Sequence, residues 1–140
     1  MPIALAENEL GRQLAELLPL TGVVLLIGEL GAGKTTLTKG IVEGRRAASA
    51  EDVSSPTFTL IHEYGDPVSV YHADLYRIDT VEQARRLGLD ELLEKPALTL
   101  VEWGERFPDL FPADRLEIRL THKGGDAREI EVIGFVSQKD

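Results

Sequence analysis

Gly28-Glu29-Leu30-Gly31-Ala32-Gly33-Lys34-Thr35 fits G-x-x-x-x-G-K-[ST], the pattern of a phosphate-binding loop, and its surroundings suit that role. Ahead of it, Val23-Val24-Leu25-Leu26-Ile27 is a continuous aliphatic run, as expected of a strand buried on both faces. Behind it, Leu37, Ile41 and Val42 recur at helical spacing. Glycines let the backbone adopt φ > 0 and turn its N–H groups around a phosphate. The helix opening at Lys34 adds unpaired amides and the positive end of its dipole. Lys34 would reach the β- and γ-phosphates of a nucleotide, and the Thr35 hydroxyl would ligate Mg²⁺. At average residue usage the pattern arises by chance in roughly one chain of this length in a hundred or fewer. The strand before it and the helix after it lower those odds further.

The rest of the chain alternates elements without a linker or repeat. Leu10, Leu14, Leu17 and Leu18 form a helical stripe with Asn8 as N-cap. The loop's own helix should run from 34 to about 46, with Gly44 and Ala47-Ala48-Ser49-Ala50 marking its end. Ser54-Ser55-Pro56 reads as a loop, since proline biases its predecessor away from helix. Segments 58–64 and 68–72 flank Gly65-Asp66-Pro67 and predict a hairpin. Thr80 and Gln83 resemble a capping box opening a helix with Val81, Ala84 and Leu87, and Gly88 and Pro96 punctuate the stretch beyond it. Residues 98–101 form another apolar strand. Segments 116–121 and 129–133 alternate apolar and polar residues around Gly124-Gly125-Asp126, so they should pair antiparallel. The expectation is one three-layer α/β domain over 1–140, of the P-loop type, whose mixed sheet has a parallel core and antiparallel hairpins.

A chain of 140 residues can bury about two-thirds of its unfolded surface, enough for a real core. Cysteine is absent, so disulfides and thiolate zinc sites drop out. No stretch has the apolar length of a membrane span, no signal peptide is apparent, and a cytoplasmic location is expected. The formal charge of −9 argues against extended contact with nucleic-acid phosphates, so neither DNA nor membrane is expected as a partner. Arg45-Arg46 and Arg85-Arg86 are the basic doublets, and each reads as a solvated helix end.

Hydrolysis or switching needs carboxylates near the metal, and two end apolar strands. Asp74 follows Val70-Tyr71-His72-Ala73, and Glu102 follows Thr99-Leu100-Val101. Ligands of α/β sheets bind beyond the carboxyl ends of strands, where either acid could face Mg²⁺. Glu102 follows the cleaner strand and ranks first, Asp74 second. His62 reads as structural, and His122 has no evident partner. Strand histidines are mostly satisfied core or surface groups, so His72 is not placed among the catalytic residues. The three histidines lack metal-ligand spacing, and no zinc is expected. Trp103, taken alone, reads as packing.

Four blocks together resemble the bacterial TsaE-like (YjeE-like) ATPases of tRNA threonylcarbamoyladenosine biosynthesis. They are Gly28-Glu29-Leu30-Gly31-Ala32-Gly33-Lys34-Thr35-Thr36, Ser55-Pro56-Thr57-Phe58-Thr59-Leu60, Tyr71-His72-Ala73-Asp74-Leu75-Tyr76-Arg77-Ile78 and Leu100-Val101-Glu102-Trp103. Their order and spacing agree with that family, and the resemblance spans nearly the whole chain. It implies ATP phosphates held by Leu30, Gly31, Ala32, Gly33, Lys34 and Thr35, with Thr36 closing the block, and Mg²⁺ on Thr35 and Glu102. It places Thr57 on a switch-like loop near the γ-phosphate, makes Asp74 necessary for activity, and brings Arg128 of the last hairpin toward the nucleotide. It suggests a lid or partner contact for Trp103. It implies TsaD-like and TsaB-like partners that carry the transfer chemistry, with tRNA met through them. Two departures accompany it. The N-terminal segment, where adenine contacts around Glu7 and Asn8 would fall, is about a helical turn shorter than the usual pattern, and the chain stops soon after Ile133.

Other functions are weighed by what is missing. A GTPase should show Asn-Lys-x-Asp and Asp-x-x-Gly elements, and neither occurs. A small-molecule kinase would add an arginine-rich lid and an acceptor pocket, for which this short acidic chain offers little room. A nucleotide-gated binding module with little intrinsic hydrolysis is the third class.

Overall fold

The computed structural model describes residues 7–29, 33–46, 61–65, 67–124 and 127–134. Its elements, in chain order, are α1 (Glu7–Leu17), β1 (Gly22–Ile27), α2 (Lys34–Gly44), β2 (Ile61–Tyr64), β3 (Val70–Asp74), α3 (Val81–Arg86), α4 (Leu89–Leu92) and β4 (Leu98–Glu102). Two single 3₁₀ turns (Gly104–Arg106 and Pro108–Leu110) then lead to β5 (Leu116–Gly124) and β6 (Ala127–Gly134). The six strands form one sheet in the order β2-β3-β4-β1-β5-β6. β3, β4, β1 and β5 run parallel, while β2 and β6 are antiparallel edges. A parallel core flanked by hairpins is the expected architecture.

The aliphatic run of β1 is buried on both sides because alternate residues enter different cores. Val24 and Leu26 join Leu37 and Ile41 of α2 and Leu14 and Leu18 of α1. Val23 and Leu25 join Leu75, Leu89, Val101 and Phe111 across the sheet. Each fully buried Leu or Ile contributes roughly 1.5–3 kcal/mol, so β1, like β4 beside it, binds the three layers together.

Several boundaries differ from the sequence expectation. α1 begins at Glu7, so Asn8 lies within the helix rather than capping it. Leu17 is 79% exposed instead of joining the stripe. At about 100° per residue it sits roughly a quarter-turn from Leu18, outside the covered face. α2 stops at Gly44, and Arg45 is not a solvated end. Its guanidinium donates to the carbonyls of Ala15 (2.9 Å), Leu18 (2.6 Å) and Pro19 (2.6 Å), closing the free C-terminal acceptors of α1.

In the first hairpin, β3 starts at Val70 rather than 68, because Pro67 offers no N–H and Ser69 N closes the turn onto Tyr64 O at 2.9 Å. β3 runs on to Asp74 beside β4, so Asp74 is the last strand residue and not the one after it. Glu102 likewise ends β4 from within. The second hairpin is longer than 116–121 and 129–133, with a register shift between His122 and Gly124. The capping box forms with a variation: Thr80 Oγ1 accepts from Gln83 N (3.1 Å), while Gln83 Oε1 accepts from Asp79 N (2.7 Å). Segments 47–60, Asp66 and the Gly125-Asp126 tip lie outside the described residues. Among the described residues no helix is long and apolar enough to cross a membrane.

Candidate active site

β1 delivers the chain to the carboxyl edge of the sheet, where Gly28 leads toward α2. Gly33 occupies the N-cap position with φ 101°, a left-handed conformation that favours glycine, and no side chain caps the helix there. The first-turn amides, which have no partner within a helix, therefore face the loop. Lys34 follows as the first helical residue, and its side chain folds back along the site. Its Nζ donates to the Gly28 carbonyl at 2.6 Å and lies 3.7 Å from the centroid of the Trp103 ring. Burial lowers the Lys34 pKa, and the negative charges of Glu102, Glu105 and Asp74 oppose that shift. The ammonium is thus held by the Gly28 carbonyl and the Trp103 ring, and the nearby negative charges only partly offset the cost of its burial.

Those carboxylates are brought by strand register. Asp74 pairs with Glu102 across β3 and β4, and Leu75 N continues the ladder by donating to Glu102 O at 2.9 Å. In the same register Glu102 lies beside Leu26 of β1, whose side chain joins the core under α2. Both acids therefore sit on the sheet face that α2 covers. Glu102 is 3% exposed, and its Oε2 is 2.7 Å from Nε2 of the fully buried His72. Asp74 Oδ1 accepts from Tyr76 N at 3.0 Å. Burial raises the Asp74 pKa, the Tyr76 amide works against the rise, and the Glu102 charge adds to it.

The corners after β3 and β4 are tied to one another. Trp103 takes a left-handed backbone (φ 67°) and turns its ring against Tyr76, with centroids 5.1 Å apart. Arg106 donates from one nitrogen to the carbonyls of Leu75, Tyr76 (3.0 Å) and Ile78 (2.7 Å). The turn carrying Glu102 and Trp103 thereby grips the turn that follows Asp74.

Of the residues expected from sequence, Lys34, Asp74 and Glu102 converge, and Thr35 and Thr36 occupy the first turn of α2. Leu30, Gly31, Ala32 and Thr57 lie outside the described residues. The backbone of Arg128 pairs with His122 in the hairpin that projects past Ile27, hence at the same carboxyl edge, while its side chain is not described. Sequence reasoning missed His72 and Arg106. A polar residue in the middle of an otherwise apolar strand marks His72 as needing a partner, but the sequence does not say which one. Arg106 left no such trace, since its partners are backbone carbonyls.

Asp74 and Glu102, side by side at the ends of β3 and β4, bring hard oxygen donors to the site. Among the described residues no three acids or histidines gather closely enough to cage a metal alone. That donor set suits Mg²⁺, which keeps water and takes one or two protein oxygens plus substrate phosphates. The arrangement can thus bind a phosphate chain from the helix and lysine side and a hard cation from the carboxylate side.

A family model described as threonylcarbamoyl adenosine biosynthesis protein TsaE matches residues 4–130. Proteins described as tRNA threonylcarbamoyladenosine biosynthesis protein TsaE are similar to this chain. The one from Bacillus subtilis (strain 168) is 45% identical over 109 residues, which cover 77% of this chain and 66% of that protein's length. Those from Nostoc sp. (strain PCC 7120) and Streptomyces coelicolor are 38% and 41% identical, covering 95% and 91% of this chain and 85% and 90% of their own lengths. A crystal structure of Bacillus subtilis YdiB superposes with a TM-score of 0.72 at 35% identity, covering 92% of this chain and 78% of that one.

Proposed function

This chain belongs to the TsaE family of tRNA threonylcarbamoyladenosine biosynthesis proteins, and from that premise we propose that it is a single-domain, Mg²⁺-dependent ATPase serving a TsaD-like and TsaB-like transferase pair. The observation that carries the proposal is the convergence of Lys34, Asp74 and Glu102 where the carboxyl ends of β3 and β4 meet the N-terminus of α2.

In this account Lys34 exchanges the Gly28 carbonyl for the β- and γ-phosphate oxygens of ATP. The α2 amides and the loop 30–33 cradle the phosphates. Thr35 and Glu102 would hold Mg²⁺, which when bound neutralises charge on the phosphates. Asp74, whose burial already disfavours its charge, faces the same region and is required for turnover, as the family resemblance implies. Arg128 approaches from the last hairpin. Catalysis is then positioning and charge neutralisation around the γ-phosphate, with water as acceptor. The protein acts in the cytoplasm and meets tRNA through its partners.

Calorimetric titration with ATP and GTP in excess Mg²⁺ tests the nucleotide assignment. ATP is expected to bind more tightly than GTP, and a clear GTP preference would contradict it. Phosphate appearing on a small acceptor instead of in solution would mark a kinase.

A further inference from the structure

His72 is buried completely, at the centre of β3, with one ring nitrogen bonded and the other alone. Nε2 lies 2.7 Å from Glu102 Oε2, while Nδ1 is buried with no hydrogen-bond partner among the described residues. A carboxylate can only accept, so the tautomer that fits carries its proton on Nε2 and leaves Nδ1 as a bare acceptor. That is the less costly orphan, because a buried unpaired donor is penalised more. It is still a cost, and an apolar residue of similar size in β3 would avoid it. Core stability therefore does not account for a histidine here.

Placement does. His72 and Asp74 share a face of β3, and Glu102 is the register partner of Asp74, so the imidazole lies diagonally below the carboxylate pair, on the side covered by α2. The bond engages Oε2 and leaves Oε1 as the oxygen able to turn toward the phosphate site. A lysine or arginine in the place of His72 would orient Glu102 but cancel the charge a cation needs. A neutral imidazole N–H orients it and leaves the charge in place.

We propose that His72 is a positioning residue for the phosphate site: its Nε2–H fixes the Glu102 carboxylate in the orientation that receives the metal of the metal–nucleotide complex. This rests on Glu102 being the metal-side carboxylate. Wild type, His72→Gln, His72→Phe and Glu102→Gln are compared by electron paramagnetic resonance titration of Mn²⁺ into the protein–ADP complex and by steady-state ATP hydrolysis. His72→Phe keeps a ring but no donor, and should weaken Mn²⁺ binding about tenfold or more and lower kcat, with KM for ATP little changed. His72→Gln presents an N–H near the same place and should recover most of both. Long-range nitrogen-15 correlation spectra of the wild-type imidazole should show Nε2 protonated and its resonance moving when diamagnetic Mg²⁺ joins ADP. Full Mn²⁺ affinity in folded His72→Phe would overturn the proposal, as would equal losses in the Gln and Phe variants or a proton on Nδ1. If the Phe variant does not fold, the Gln variant and the wild-type spectrum decide. Wild-type hydrolysis and Mn²⁺ binding by Glu102→Gln would instead remove Glu102 from the metal side, and the premise with it.

Discussion

Burial opposes the charge on Lys34, and three nearby carboxylates only partly offset it, so the ammonium rests on the Gly28 carbonyl, a contact that a phosphate can replace. Lys34→Ala should abolish productive ATP binding while leaving circular dichroism unchanged, and undiminished affinity in a calorimetric titration would contradict the phosphate-site assignment. Asp74 is the converse case. Burial raises its pKa above the ordinary aspartate range, with the Tyr76 N–H only partly offsetting it. The folded state then holds the proton more tightly than the unfolded state. Stability is lost as pH climbs from the unfolded value of about 3.9 through the raised folded value, and the cost stays in full above that window. Asp74→Asn should therefore raise the Tm of the nucleotide-free protein near pH 7, with the gain shrinking toward pH 4, and should lower ATP turnover. A Tm difference independent of pH would show that Asp74 is not under this strain. At this scale Lys34, Asp74 and Glu102 were legible because a loop motif and strand ends mark them. His72 and Arg106 were not, because their partners lie 30 and 28–31 residues away and become visible only through register and turns.

The element that sets the phosphate loop in place is α2, and its seat is α1. A Cβ at Gly11 would come within 2.5 Å of Leu37 O and 2.9 Å of the Gly40 Cα, so the two helix backbones touch where glycine leaves room. Gly11→Ala should push them apart and destabilise the fold by about 1–3 kcal/mol, read as a drop in denaturant midpoint. An unchanged midpoint would mean that this contact yields without cost. Periodicity predicted both helices and, among the described residues, every strand, since long apolar patterns are decided locally. It missed where they end. α2 stops because Arg45 turns away to the carbonyls of α1, and β3 reaches Asp74 because β4 lies beside it. Both are tertiary facts that no window of sequence contains.

Taken whole, the molecule gathers its chemistry at one edge: four parallel strands end there, and the helix dipole of α2 begins there. The chain as a whole is acidic, with a formal charge of −9, so the isolated protein should bind tRNA weakly and with little salt dependence. Strong, steeply salt-dependent binding in a filter assay would contradict that. Partners should instead read the corner formed by the exposed Tyr76 and the half-buried Trp103, where nucleotide can reorder the contact between Trp103 and Lys34. Affinity for the TsaD-like and TsaB-like pair should be higher with ATP than with ADP, and Trp103→Ala should weaken that assembly more than it weakens nucleotide binding. Equal affinity in each nucleotide state would remove the gating. The central claim is that the edge where β3 and β4 meet α2 hydrolyses ATP with Glu102 on the metal side. Phosphate release from ATP in Mg²⁺, by wild type and Glu102→Gln in the presence of the partner pair, tests it most directly. Glu102→Gln should still bind ATP yet turn over slower by a factor on the order of a hundred. Hydrolysis by Glu102→Gln at the wild-type rate would contradict the account.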